Sequence, residues 1–327
     1  MGMAVYTHLS DTDLRQYLQY FAAGELLEAR GISAGTINTI YELQTTRGHF
    51  ILRILEGRTR ADARFEEELL VHLHKHELAV PRMVDAGKRG HVVSINPRQQ
   101  MSIFEFLPGR EVAVFEISNE HALQVGGFLA QMHIACRELT RRRKNRFGRE
   151  RLLELLDICT AAEPSAPLHR DIEELRDEVQ SYKPAKNLPR GIIHGDLFVD
   201  NVRFSHGKLC GVLDFEMSSS GALIYDLCVA ICDWAFSKNS LQPELARGLV
   251  EGYCVYRPLQ EAEKRYLYQL TCFVAARFTV TRIHDFEVMV PPDAERLYKD
   301  YRHFLQRLRS LRALGQEGFD AAVFAFR

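Results

Sequence analysis

Two carboxylates and a carboxamide crowd the stretch IIHGDLFVDN (192–201), directly behind a pair of isoleucines. Asp196 and Asn201 stand five positions apart, the D-x-x-x-x-N spacing of phosphoryl-transfer loops. The chemistry accounts for these residue types. A hydroxyl that attacks a phosphoryl group needs a carboxylate to orient it and take its proton, a role open to Asp196. Asn201, one turn of loop later, offers a neutral oxygen to magnesium, which prefers hard oxygen ligands. A second metal oxygen must come from a separate strand, and CGVLDFE supplies it in Asp214, at the end of an apolar run. VRFSHGKLCGVLDF reads as the hairpin between them, turning at Ser-His-Gly. The competing reading makes Asp196 a turn-stabilising aspartate. Asp200 reads as a loop hydrogen-bonding residue rather than a second base.

Elements that would position these residues divide the chain. SDTDLRQYLQYF is expected as a helix, with Ser10 as N-cap and Leu14, Tyr17, Leu18 and Phe21 on its apolar face. Ile40, Tyr41 and Leu43 lead into the turn TTRG, and HFILRIL follows, an antiparallel pair preceded by a glycine-containing loop. ADARFEEELLVHLHKHEL is a helix with Leu69, Leu70 and Leu73 on one face. Short strands follow through AVPRMVDAGKRGHVVSI and MSIFEFLPGRE, which closes on Pro108-Gly109. Beyond that break the pattern is helical, interrupted by GIIHGD and the hairpin. The expectation is an α+β protein of two lobes. Residues 1–107 would form a small antiparallel β lobe with a helix that binds nucleotide. Residues 108–327 would form a larger, mainly helical lobe for catalysis and substrate.

Bulk properties agree with two lobes. The chain has 327 residues, of which 46% are hydrophobic and 26% charged, and the net charge is -1. A nucleic-acid partner usually demands a clearly basic domain, so a small-molecule substrate is expected and no nucleic acid. RRRKNR at 141–146 reads as a solvated helix end, and His72 and His76 as exposed helix histidines. Seven cysteines without a C-x-x-C pair suit a reducing compartment. No apolar run approaches a membrane span, and the start lacks a secretion signal, so the expectation is a cytoplasmic protein, without membrane, as monomer or homodimer. Trp234 reads as a core residue.

IIHGDLFVDNVRF and GVLDFE together resemble the catalytic core of the aminoglycoside phosphotransferase and choline kinase superfamily. Within it, the chain is most similar to bacterial homoserine kinases of the ThrB-like type. MAVYTHLSDTDLRQYL, GELLEARGISAGT, YDLCVAICDWAF, LVEGYCVYRPLQEAEK and RFTVTRIHDF carry that resemblance in order along nearly the whole length. It implies a bilobal protein-kinase-like fold, ATP and Mg2+, and transfer of the γ-phosphoryl group to the side-chain hydroxyl of L-homoserine in threonine synthesis. It also implies Asp196 as base, Asn201 and Asp214 as metal ligands, and His194 as an architectural residue. INTIY at 37–41 and Glu216 after the metal aspartate depart from the family pattern. Glu216 could hold metal, bind an ammonium group or mark a changed acceptor such as choline, hydroxylysine or an aminoglycoside. A non-catalytic pseudokinase would have lost part of the trio, which is intact.

The nucleotide site is expected to draw on Gly35, Thr36 and Asn38 of the glycine loop, although the full G-x-G-x-x-G is absent and a plain turn remains open. Arg53 on the following strand would reach the phosphates, or else face outward by alternation. Glu66 lies on the buried face of the next helix as its partner, whereas Glu67 and Glu68 are expected in solvent. Phe104, Glu105 and Phe106, just before the break, would meet adenine. For a zwitterionic acceptor, Arg suits the carboxylate and an acid the ammonium. The candidates are Arg277, Arg282, Asp233 and Glu216, with an internal ion pair of either arginine to Asp233 or Asp285 as the alternative. Asp226 is equally an N-cap or a loop anchor.

Overall fold

The computed structural model of the protein describes residues 7–32, 38–289 and 298–324. These fall into two compact units. The first takes the described chain up to Gly109 together with Cys210–Glu216. The second takes Arg110–Leu209 and the described chain from Met217 onward.

In the first unit, α1 (Asp11–Leu18) starts at Ser10, and a reciprocal capping box links Ser10 and Asp13. Next come β1 (Leu26–Ile32), β2 (Thr39–Thr45), β3 (Gly48–Glu56), α2 (Arg60–Lys75), β4 (Val93–Asn96) and β5 (Gln99–Glu105). The strands form one antiparallel sheet in the order β1-β2-β3-β5-β4. Helix α1 packs Leu14, Leu18 and the following Phe21 against Leu43, Leu52, Ile54, Met101 and Ile103. Burying each such side chain contributes roughly 2 kcal/mol, so this cluster holds the lobe together. Strand β1 was not anticipated. Only Leu26 in LLEARGI is buried, so an edge strand with both faces mostly wet left no period to read. Glu67 corrects another expectation. It is 7% exposed and accepts hydrogen bonds from Arg64 and from the His91 backbone N–H.

The second unit is helical: α3 (Asn119–Ala135), α4 (Arg149–Ala161), α5 (Ala166–Ser181), then, after the short strands, α6 (Ile224–Trp234), α7 (Pro243–Tyr256), α8 (Glu261–Arg282) and α9 (Arg302–Phe324). Between α5 and α6, β6 (Arg190–Ile193) pairs with β9 (Ser219–Ala222), and β7 (Val202–Ser205) with β8 (Lys208–Val212) in a hairpin. The minimal strands β10 (Phe236–Ser237) and β11 (Ser240–Leu241) follow α6. Helices α3 and α7 cross at glycines. A Cβ on Gly126 would lie 2.0 Å from the Leu249 carbonyl oxygen, and one on Gly252 would lie 2.0 Å from that of Leu123. Only backbone fits there. The basic run 141–146 is not a helix end but an extended segment beside β9, where Arg143 Nε donates to the Ser218 carbonyl at 2.6 Å. No described helix is long and apolar enough to cross a membrane.

Candidate active site

The loop after β6 is held from below by α6. This helix is apolar nearly all round and buried along its length, which is unusual for a surface helix and fits a central one. Its exceptions are functional. Asp226, fully buried, accepts the His194 backbone N–H at 2.7 Å on Oδ2 and the Gly195 N–H at 2.8 Å on Oδ1. Two turns on, Asp233 Oδ2 accepts the Val199 N–H at 3.0 Å, and Trp234 Nε1 donates to the Leu197 carbonyl at 3.2 Å. Asp226 is therefore a loop anchor and not an N-cap. Trp234 is in the core, as expected, but is also tied to the loop.

Inside the loop, Gly195 takes φ +83°. The Asp196 N–H points at His194 Nδ1 at 3.3 Å, so the fully buried His194 supports the backbone of its neighbour. Asn201 Nδ2 donates to the Asp196 carbonyl at 2.8 Å, which pins the carboxamide and directs its Oδ1 away from that bond. Asp196 itself is half-buried. Asp200 is exposed, its carboxylate 3.4 Å from Lys299 Nζ. Loop support, expected of Asp200, comes from Asp226 and Asp233 instead.

A buried chain extends from Asp226. His133 Nε2 lies 2.9 Å from its Oδ2, and His133 Nδ1 lies 2.8 Å from the Tyr253 hydroxyl. Arg257 Nη1 donates to that hydroxyl at 3.1 Å and its Nη2 reaches both oxygens of the buried Glu263 at 3.0 and 3.1 Å. With Arg257 donating to the phenol oxygen, the phenol O–H points to Nδ1 and the Nε2–H to Asp226. Burial pushes the Tyr253 phenol well above its ordinary range, so it stays neutral. The close α3–α7 crossing makes this chain possible, since His133 ends α3 and Tyr253 lies on α7. Sequence reading missed His133, Tyr253, Arg257 and Glu263. A lone histidine in the apolar run FLAQMHIA was the one available signal.

In the first unit, Arg53 turns inward. Its Nη2 donates to Glu66 Oε2 at 2.7 Å, both side chains are buried, and Phe104 lies under the guanidinium with its ring centre 4.9 Å from Cζ. Asp214 Oδ1 is 4.0 Å from Arg53 Nη1. Burial opposes the Arg53 charge, but Glu66, Asp214 and Glu216 outweigh it and raise the guanidinium's pKa. Asp214 has φ +60°, a left-handed conformation that aspartate tolerates better than most residues. Its side chain is 39% exposed. Glu105 and Phe106 spend their N–H groups on the Arg82 and His49 carbonyls, and Phe106 stacks on His49 with ring centres 3.8 Å apart. The backbone N–H groups of both residues are thus spent within the protein. Gly35 and Thr36 lie outside the described residues.

Three candidate ligand residues are occupied by protein. Asn38 Nδ2 donates to Glu216 Oε2 at 2.8 Å, and its Oδ1 accepts the Glu56 N–H at 3.3 Å. Both polar atoms of the Asn38 side chain thus already have a protein partner. Glu216, 6% exposed, also has Arg58 Nη2 at 3.6 Å. Glu216 is thus already held by two protein partners. Asp233 uses Oδ2 on Val199 and Oδ1 on Arg307 Nη1, at 3.0 Å, so it braces the loop. The two candidate arginines differ from these. Neither Asp233 nor Asp285 forms an ion pair with Arg277 or Arg282 among the described residues. Arg282 donates to the Asp300 carbonyl at 3.1 Å and lies over Phe304. Burial, with Arg307 adding to it against the pull of Asp233, depresses its pKa to about 10, so its charge is poorly compensated.

Asp196 and Asn201 thus sit on an anchored loop of one unit, and Asp214, Arg53 and Glu66 form an inward-facing set in the other. Carboxylate and carboxamide oxygens and a buried arginine are the residue types that phosphoryl-transfer chemistry uses. Residues 28–267 match the model of the phosphotransferase enzyme family, and the chain belongs to that family. It is a phosphotransferase enzyme, a kinase with an α+β, kinase-like fold of a small antiparallel sheet lobe and a helical lobe. Among its relatives, the homoserine kinase of Gluconacetobacter diazotrophicus is 36% identical over 95% of this chain and 97% of its own. The homoserine kinase of Neisseria meningitidis serogroup B is 33% identical over 94% of this chain and 100% of its own. Solved structures share the fold. An amicoumacin kinase in complex with AMP-PNP and Ca2+ superposes with TM-score 0.69 at 15% identity, covering 94% of both chains. A microcompartment-associated aminopropanol kinase gives 0.66 at 18% identity, covering 94% of this chain and 98% of its own.

Proposed function

We propose that this kinase transfers the γ-phosphoryl group of ATP to the side-chain hydroxyl of L-homoserine, the acceptor used in threonine biosynthesis. The observation that carries the acceptor is near-full-length similarity, at 33–36% identity, to proteins named homoserine kinase. The loop geometry supports the chemistry. Asp196 accepts the hydroxyl proton while the hydroxyl oxygen bonds to the γ-phosphorus. The bond from that phosphorus to the β–γ bridging oxygen breaks, and ADP leaves. Asp226, Asp233 and Trp234 hold the Asp196 backbone still during this step, which is how positioning contributes to rate. Arg53, kept charged by Glu66, faces the phosphates.

The residues fit a magnesium ion. Asn201 has its amide nitrogen committed to the Asp196 carbonyl, leaving Oδ1 as a hard neutral donor, and Asp214 offers a partly exposed anionic one. Bound there, Mg2+ would neutralise phosphate charge. Asn201 is oriented by its loop and Asp214 by its left-handed backbone, before any ion arrives.

The test is an ADP-release assay over L-homoserine, other hydroxylated amino acids, choline and aminoglycosides. L-Homoserine is expected as the best acceptor, and Asp196→Ala should lose most turnover while still binding ATP. Robust activity elsewhere with none on homoserine would sink the acceptor, and near-normal phosphotransfer by Asp196→Ala would sink the base.

A further inference from the structure

We propose that Arg277 selects the acceptor by forming a two-pronged ion pair with a substrate carboxylate, restricting the enzyme to hydroxylated amino acids over amino alcohols. This rests on the reading above that Asp196 receives the acceptor hydroxyl.

Arg277 lies in the buried C-terminal half of α8 and is 4% exposed. Its Cζ is 3.8 Å from the ring centre of Phe278 and 4.3 Å from that of Phe147. Among the described residues nothing accepts a hydrogen bond from its guanidinium, and its buried Nε has no partner. Other buried or half-buried arginines here are all matched. Arg53 has Glu66, Arg257 has Glu263 and Arg307 has Asp233, while Arg282 has at least the Asp300 carbonyl. A guanidinium taken out of water without a counter-ion is destabilising, so a protein seldom keeps one without use. Aromatic faces offset part of that, but they cannot stand in for oxygen acceptors, and its N–H groups stay unanswered among the described residues. Those groups match a carboxylate in geometry and charge.

Position supports the same ligand. The Phe278 ring centre is 4.6 Å from that of Phe198, in the loop two residues after Asp196. The phenol of Tyr225, raised to about 12 by burial, is drawn down by Arg277 and pushed up by Asp196, so both charges act on one buried hydroxyl. A small molecule with its hydroxyl at Asp196 can therefore have its other end at Arg277. L-Homoserine carries its carboxylate at that other end, and 3-aminopropan-1-ol is the same skeleton without it.

The test uses Arg277→Gln and Arg277→Met in the full chain, with L-homoserine, 3-aminopropan-1-ol and the non-phosphorylatable L-2-aminobutyrate. KM for L-homoserine should rise about 100-fold, two charge-assisted hydrogen bonds at roughly tenfold each, with KM for ATP unchanged. Competitive inhibition by L-2-aminobutyrate should vanish, and any turnover of 3-aminopropan-1-ol should stay as in the parent. Ligand-free Arg277→Met should melt no lower than the parent, because it removes a buried charge that has no counter-ion among the described residues; a purely structural arginine would show a lower Tm. An unchanged KM for L-homoserine overturns this proposal and spares the homoserine reading. A parent enzyme that uses a different hydroxylated amino acid, with an Arg277-dependent KM, spares this proposal and defeats that reading. Use of carboxylate-free acceptors alone, or a melting loss in Arg277→Met, overturns it.

Discussion

Replacing Asp226 by Asn tests whether one buried carboxylate holds the loop that carries Asp196. The change removes a charge and one acceptor from a site where three donors converge: two backbone N–H groups and His133 Nε2. The amide is best placed with its oxygen at the Oδ2 position, serving His194 and His133. Its NH2 then faces the Gly195 N–H, and that buried donor is orphaned at about 1–3 kcal/mol. The two surviving bonds lose their charge assistance, about 1 kcal/mol each. Summed, the variant should be about 3–5 kcal/mol less stable, which shifts a urea midpoint down by about 1–2 M. Typical domains have 5–15 kcal/mol in hand, so the variant still folds at 25 °C. A loop displaced by even 1 Å should lower kcat roughly 100-fold. KM for ATP should hardly move, because Arg53 and Glu66 belong to the other unit. Asp226→Asn with kcat within threefold of the parent and an unshifted midpoint would refute the anchoring role. A double cycle with His133→Gln adds a second check, since residues sharing one network are expected to be non-additive.

Further outcomes follow from packing and charge. Gly252→Ala forces a Cβ against the Leu123 carbonyl and should destabilise by about 3 kcal/mol, lowering Tm by roughly 6–12 °C in a scanning melt. Glu66→Gln strips the buried Arg53 of its counter-ion, and KM for ATP should rise at least about tenfold while KM for the acceptor stays put, read from steady-state kinetics. Among the thiols, Cys210 and Cys254 should alkylate in the native protein, and the five buried cysteines only after unfolding. Burial raises Cys136 and Cys272 to about 12 and Cys159 to about 11 from an ordinary 9. The folded state then keeps protons that the unfolded chain sheds, so this stabilisation is full below about pH 9 and declines from there upward. Urea midpoints should fall between pH 8 and pH 10, and a Cys136→Ala, Cys159→Ala, Cys272→Ala variant should flatten that slope.

The reaction class was legible from the sequence because phosphoryl transfer asks for few residue types at short spacing. Asp196, Asn201 and Asp214 sit on one hairpin and its entry loop, where chain connectivity alone sets order and separation. The small sheet and the helices were legible for a related reason: apolar residues recur with the period of the element, as in α1 and α2. Strand β1 escaped because an edge strand buries one residue in seven and shows no period. Glu67, Asn38, Glu216 and Asp233 were read as solvated or ligand-facing, yet each is satisfied by a partner. Those partners lie from three residues away, in Arg64, to 178 residues away, in the Asn38–Glu216 bond.

What the sequence by itself determined is the candidate local chemistry: a carboxylate proposed as base, two oxygens proposed for metal and an arginine on the strand that follows the glycine loop. Only tertiary structure decided which charges are already answered. Asp226 anchors the loop because α6 runs beneath it, and His133 joins because two glycine-bearing helices cross at backbone distance. Arg277 stands out only because folding brings aromatic rings and, among the described residues, no carboxylate to its sides. A side chain's charge is written in its type, but whether that charge is spent depends on neighbours far off in the chain, and the free energy of burial makes that difference decisive.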